Sequence, residues 1–67
     1  MLTIDVEQED DGKWIGEVAA LPGVMAYGAT EAEARQKAAA LALRVIADRI
    51  EHGETVPEEA RALFALV

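Results

Sequence analysis

The segment Glu31–His52, EAEARQKAAALALRVIADRIEH, contains neither glycine nor proline and is rich in strong helix formers. It takes about a third of a 67-residue chain. Its start is marked by Thr30 and Glu33, which fit a capping box. The Thr30 hydroxyl can accept from the Glu33 amide while the Glu33 side chain reaches back toward the cap. Gly53 stands where a C-terminal stop belongs. The spacing therefore predicts one helix over Glu31–His52.

The apolar pattern of that helix is wide. Ala34, Ala38, Leu41 and Val45 form one stripe, and Ala39, Leu43, Ile46 and Ile50 form a second, rotated by about 140° at 100° per residue. Ala42 falls between them, and Glu33, Lys37, Arg44, Asp48 and Glu51 share the remaining side. A surface helix serving one core needs a stripe of roughly 100°. The first stripe is expected on the chain's own sheet. The second, carried by Leu43, Ile46 and Ile50, is expected at an oligomer interface. The alternative, alanine supplying helix propensity without burial, leaves those three residues unexplained.

Ahead of the helix the period changes to two. LTIDVEQ sets Leu2, Ile4 and Val6 on one side and Thr3, Asp5 and Glu7 on the other, the pattern of a half-buried strand. Asp11-Gly12 suits a tight hairpin turn. KWIGEVA returns as a second strand, with Trp14 and Val18 on one side and Ile15 and Glu17 on the other. Leu21-Pro22-Gly23 breaks it, because proline cannot donate to a ladder and Pro-Gly marks a turn. Val24–Gly28 reads as a third strand, completing an antiparallel meander.

The tail after Gly53 carries two signals. Pro57 at a helix start with Glu58 and Glu59 behind it favours a short second helix. Ala62–Val67, ALFALV, is also an unbroken apolar run of strand length. Topology favours a strand lying parallel to the first, reached by a right-handed crossover through the helix. The expected class is α+β, a single domain over residues 1–67 ordered β-β-β-α-β, with the helix on one face of the sheet.

Composition narrows the function. A chain this short buries a small share of its surface and usually recruits a staple. It has no cysteine, which removes disulfides and thiolate sites, and one histidine, which leaves little for zinc. A homodimer or higher homo-oligomer, or a partner chain, is the expected staple. No basic leader precedes an apolar run and no stretch approaches a membrane span, so a cytoplasmic protein without membrane contact is expected. The formal charge of −7, from 13 acidic and 6 basic residues, opposes direct nucleic-acid binding and suits a basic protein partner.

Candidate chemistry is sparse. Asp5, Glu7, Glu9, Asp10 and Asp11 invite a metal reading, but a two-metal site needs carboxylates converging from other elements. The tail run has none, and the helix acids fall on its polar side. EDDG also lacks the EF-hand pattern. His52 has no cysteine to activate and is expected to meet the last helix carbonyls. The hydroxyls are few, and Thr30 is engaged in the cap. The glycines form no phosphate-cradling loop, and Glu31 and Glu33 oppose an anion at the helix start. No catalytic residue, metal, cofactor or small-molecule substrate is expected; the chain reads as a non-enzyme. Trp14 and Tyr27 are expected in sheet packing or, if exposed, as interface anchors.

DGKWIGEV, then LPGVMAYGATEAEA, then an alanine-rich helix ending EHGE before a proline together resemble the HicB-like antitoxin family. The resemblance covers nearly the whole chain. Its most specific part is the L-P-G, five-residue, G-x-T-x-x-E-A pattern of Leu21, Pro22, Gly23, Gly28, Thr30, Glu33 and Ala34. It implies a partial ribonuclease-H-like fold and a role in a toxin–antitoxin system. There, such a domain binds a small basic mRNA-interferase toxin of the HicA type and blocks its RNA-cleaving surface. Asp5, Glu7, Trp14 and Glu17 are the expected toxin interface. Many family members carry a C-terminal DNA-binding module; none is read in this sequence, so binding of operator DNA by this chain is not expected. Short relatives also include orphans without a toxin, which leaves a stand-alone homo-oligomer as the second reading.

Overall fold

The computed structural model describes residues 1–64. Three strands, β1 (Ile4–Gln8), β2 (Trp14–Val18) and β3 (Met25–Gly28), form an antiparallel sheet in the order β1-β2-β3. A long helix α1 (Glu31–Glu51) lies across one face, mainly over β2 and β3, and a short helix α2 (Glu58–Leu63) follows. The meander and long helix are as the residue pattern predicts. The expected fourth strand is not among the described residues. Ala62 and Leu63 belong to α2 and Phe64 caps it, while residues 65–67 lie outside the described part. The helical signal won because Pro57 with Glu58 and Glu59 starts a turn that docks Ala60 into the core at 1% exposure.

The turns follow from their residues. Between β1 and β2 a three-residue loop is closed by the Gly12 N–H donating to the Glu9 carbonyl at 2.9 Å, with the Glu9 N–H donating to the Lys13 carbonyl at 2.7 Å. Asp11 Oδ1 accepts from the Lys13 N–H at 3.0 Å, and the Gln8 amide donates to the Gly12 carbonyl at 3.1 Å. Between β2 and β3, Leu21-Pro22-Gly23-Val24 closes through the Val24 N–H to the Leu21 carbonyl at 2.9 Å. Pro22 sets the second position and Gly23, at φ 88°, takes the third, the requirement of a type II turn.

Helix α1 begins as expected: Thr30 Oγ1 accepts from the Glu33 N–H at 3.1 Å. The Glu33 carboxylate reaches one residue past the cap and accepts from the Ala29 N–H at 3.2 Å. At the other end the Glu54 N–H donates to the Arg49 carbonyl at 2.8 Å and the Gly53 N–H to the Ile50 carbonyl at 3.1 Å. With Gly53 at φ 69°, this is a Schellman stop. Glu31 with Arg35 at 3.2 Å and Glu33 with Lys37 at 3.1 Å pair along the exposed side, where each such contact contributes little.

Burial on α1 follows a line that neither sequence stripe describes. Ala34, Ala38, Ala42 and Ile46, four residues apart, are the buried positions. Leu41 and Val45 pack against the core from one flank, while Leu43 on the other is exposed. The core cluster joins Val18, Leu21, Val24, Ala38, Ala42, Ile46, Val56 and Ala60. Ile46, expected at an oligomer interface, is instead a core residue at 7% exposure. The cause is geometric: the helix rests on the sheet along the line through Ala38 and Ala42, midway between the two stripes.

That rest line exists because the sheet offers glycine beneath it. A Cβ on Gly16 would come within 2.9 Å of the Ala34 carbonyl oxygen and 3.1 Å of the Ala38 Cβ. A Cβ on Gly28 would overlap the backbone of Glu33 and Ala34. Gly28, read from the sequence as the end of the third strand, is not among the glycines at positive φ; it serves close approach. Gly28→Ala must lift the N-terminal turn of α1 off the sheet. Its unfolding free energy, measured by urea titration, should fall by about 1–3 kcal/mol, the usual range for overpacking.

Candidate functional site

With α1 covering one face, the other face of the sheet is open. Strand alternation decides what it displays. The register pairs Ile4 with Val18, Val6 with Gly16 and Gln8 with Trp14 on the helix side, and Asp5 with Glu17 and Glu7 with Ile15 on the open side. From β3, Tyr27 opposite Ile15 and Met25 opposite Glu17 join the open side. The open face therefore carries acids along β1 and β2, and Ile15, Met25 and Tyr27 toward β3. Tyr27 is 53% exposed.

Of the four residues expected at a toxin interface, the fold brings Asp5, Glu7 and Glu17 together and excludes Trp14. The indole is half-buried on the helix side, opposite Gly28, because its position in β2 is out of phase with Glu17. Glu9 joins the acids at the rim of a hollow of about 260 Å³ lined by Asp5, Val6, Glu7, Glu9, Ile15 and Glu17. Asp10 and Asp11 sit exposed in the adjoining hairpin loop. Ile15 reads on the same side of its strand as Glu17, and it stands there. Met25 was not legible as a member of this face, because its phase relative to Glu17 depends on the β2–β3 register.

The electrostatics of the face are adverse for folding. Asp5 and Glu17 stand directly across from each other, and like charges in that relation destabilise a sheet by about 0.2–1 kcal/mol. Among the described residues, the ion pairs engage Glu31, Glu33, Asp48 and Glu58, and none engages Asp5, Glu7 or Glu17. No group of three or more His, Asp or Glu side chains among the described residues is placed to hold a metal ion.

A second hollow, of about 230 Å³, lies at the end of the β2–β3 pair, lined by Lys13, Tyr27, Gly28, Ala29 and Glu33. The Glu33 carboxylate is held below its ordinary range, first by its hydrogen bond with Lys37, then by the Ala29 N–H. His52 lies at the far end of α1 with Nδ1 2.7 Å from the Asp48 carbonyl oxygen; that oxygen only accepts, so Nδ1 carries the proton. The Asp48 carboxylate is 3.4 Å from the same ring nitrogen. No helix among the described residues is long and apolar enough to cross a membrane.

Compared with known proteins, the chain matches no family model, no curated protein and no solved structure.

Two outcomes test this geometry. Glu17→Gln removes the opposed charge and should stabilise the fold by about 0.2–1 kcal/mol, read as a raised urea midpoint. Because Glu33 is held low in the folded state, its contribution is present above its unfolded pKa and lost as pH falls through the folded one. On acidification the Ala29 amide should therefore lose hydrogen-exchange protection and shift in the NMR spectrum, and Glu33→Gln should abolish that transition.

Proposed function

We propose that the chain is an antitoxin-like binding protein, which neutralises a small basic mRNA-interferase toxin of the HicA type by direct contact. The observation that carries this reading is the open sheet face, where Asp5, Glu7 and Glu17 stand together without cationic partners among the described residues. An opposed acid pair costs the fold stability, and a basic partner would turn that cost into attraction. Ile15, Met25 and Tyr27 beside the acids supply the apolar and aromatic contact that a purely charged patch lacks. In this reading the chain acts by occlusion rather than catalysis, in the cytoplasm where messenger RNA is cleaved. The resemblance carried by Leu21, Pro22, Gly23, Gly28, Thr30, Glu33 and Ala34 names the toxin class; the acidic face supplies the chemistry.

A second reading, a stand-alone homo-oligomer without a toxin, is favoured by Leu43, which is 62% exposed on α1 with Ile50 two turns away on the same side. Leu43→Glu should dissociate an oligomer built on that stripe, as read by light scattering.

The direct test of the first reading is to express the chain with a short basic protein encoded beside it, and to assay RNA cleavage with and without complex formation. Neutralising Asp5, Glu7 and Glu17 together as Asn, Gln and Gln should slow association by tenfold or more, on the order expected for lost steering, and flatten its salt dependence. An association rate and affinity untouched by that triple change would refute the acidic face as the docking surface.

A further inference from the structure

We infer that the free edge of β3 is a self-pairing edge, which joins two copies of this chain in one continuous six-stranded sheet. The inference rests on main-chain geometry and is independent of the toxin reading. The Val18 N–H donates to the Val24 carbonyl at 3.0 Å, in the same register that pairs Gly16 with Ala26 and Trp14 with Gly28. In an antiparallel ladder the groups alternate, so Ala26 and Gly28 turn theirs toward β2 while Met25 and Tyr27 turn theirs outward. No turn, loop or side-chain hydrogen bond among the described residues takes up these outward groups.

The two edges of the sheet are guarded differently. Natural sheets blunt a free edge with charge, proline or a covering side chain. Strand β1 carries Asp5 and Glu7, and Arg35 reaches from α1 to within 3.4 Å of the Ile4 carbonyl oxygen. Strand β3 reads Met25-Ala26-Tyr27-Gly28, with no charge and no proline, in a chain with 13 acidic and 6 basic residues.

A second copy fits that edge on three counts. A two-fold axis normal to the sheet at Ala26 sets Met25 opposite the partner's Tyr27 and Tyr27 opposite the partner's Met25. All the outward N–H and C=O groups of both strands are then satisfied, with every side chain remaining on its own face. The same axis keeps the acids of β1 and β2 on the outer flanks, so two chains of charge −7 meet along their uncharged strand. Finally, α1 lies over β2 and β3. Strands spaced about 4.8 Å apart would set the two copies of α1 roughly 10 Å from each other, at the upper end of ordinary helix packing.

Sedimentation equilibrium on the intact chain tests this, together with hydrogen exchange at single amides. The expected result is a dimer of the 7.2 kDa chain whose affinity rises with salt, because screening relieves the mutual repulsion of two acidic copies. Association with a basic toxin must weaken with salt, so the failure of one reading is distinguishable from failure of the other. The Met25 and Tyr27 amides should gain protection with protein concentration in the unaltered chain. A chemically synthesised chain with an N-methyl group on Tyr27 loses one outward donor per copy, and its dimerisation should weaken by about tenfold or more with the helix signal retained. A monomer at all concentrations overturns the inference. So do a dimer with freely exchanging Met25 and Tyr27 amides, protection that arises only when a different protein is added, and a dimer that Leu43→Glu dissociates but N-methylation leaves intact.

Discussion

The contact on which the rest of the molecule depends is the seating of α1 on Gly16 and Gly28. With no Cβ on those residues, the backbone of Ala34 and the methyl of Ala38 come down onto the sheet itself. A helix this close cannot carry large side chains on its seat, which is why the buried line reads Ala34, Ala38, Ala42 before it reaches Ile46. The larger apolar volume is displaced toward the β2–β3 turn end. There Val18, Leu21 and Val24 meet Ile46, Val56 and Ala60. The helix, about 31 Å long, also overruns strands of about 17 Å. The radius of gyration of 12.9 Å exceeds the roughly 11 Å of a compact domain of this length, and beyond the sheet Val56 and Ala60 join Ile46 in the core.

Such a seat stabilises one face of the sheet and does nothing for the other. A three-stranded sheet needs only one apolar face to fold against a helix, so selection for stability leaves the open face unconstrained. Neutral, β-branched residues there would serve the fold best. Asp5 facing Glu17 is the opposite choice, made at two positions that meet only once the β1–β2 register has formed. A local rule broken at a place the fold does not need is the kind of conflict expected at a functional surface.

What was legible in the sequence is what short-range chemistry decides. Thr30 with Glu33, Gly53 after His52, Pro22-Gly23 and the alternation of Ile4, Val6 against Asp5, Glu7 each act within one turn or one strand. The structure places all of them as read. The losses are long-range, except for Trp14. Trp14 was grouped with Asp5 and Glu17 as an aromatic anchor, although its own alternation already set it apart from Glu17. Ile46 fell to the core because the seat lies between two equally plausible stripes, and only the glycines of the sheet decide where it lies. Ala62 and Leu63 satisfied both a helical and a strand pattern, and the docking of Ala60 settled them.

The edge and the open face of one sheet make demands that do not collide. Pairing through β3 uses the main chain of Met25 and Tyr27, whereas docking on the open face uses their side chains together with the acids of β1 and β2. A continuous six-stranded sheet would enlarge the apolar strip at its centre, with Ile15, Met25 and Tyr27 repeated across the axis, and leave an acidic field on either flank. Each basic partner would then meet a charged flank with an aromatic border, and the two flanks would lie far enough apart to be filled independently. Main-chain pairing also tolerates change in side chains, so the acids can be tuned to a partner without loss of assembly. That separation follows from the seat of α1: by occupying one face, mainly over β2 and β3, it leaves the second face and the β3 edge as the surfaces on which this small chain can act.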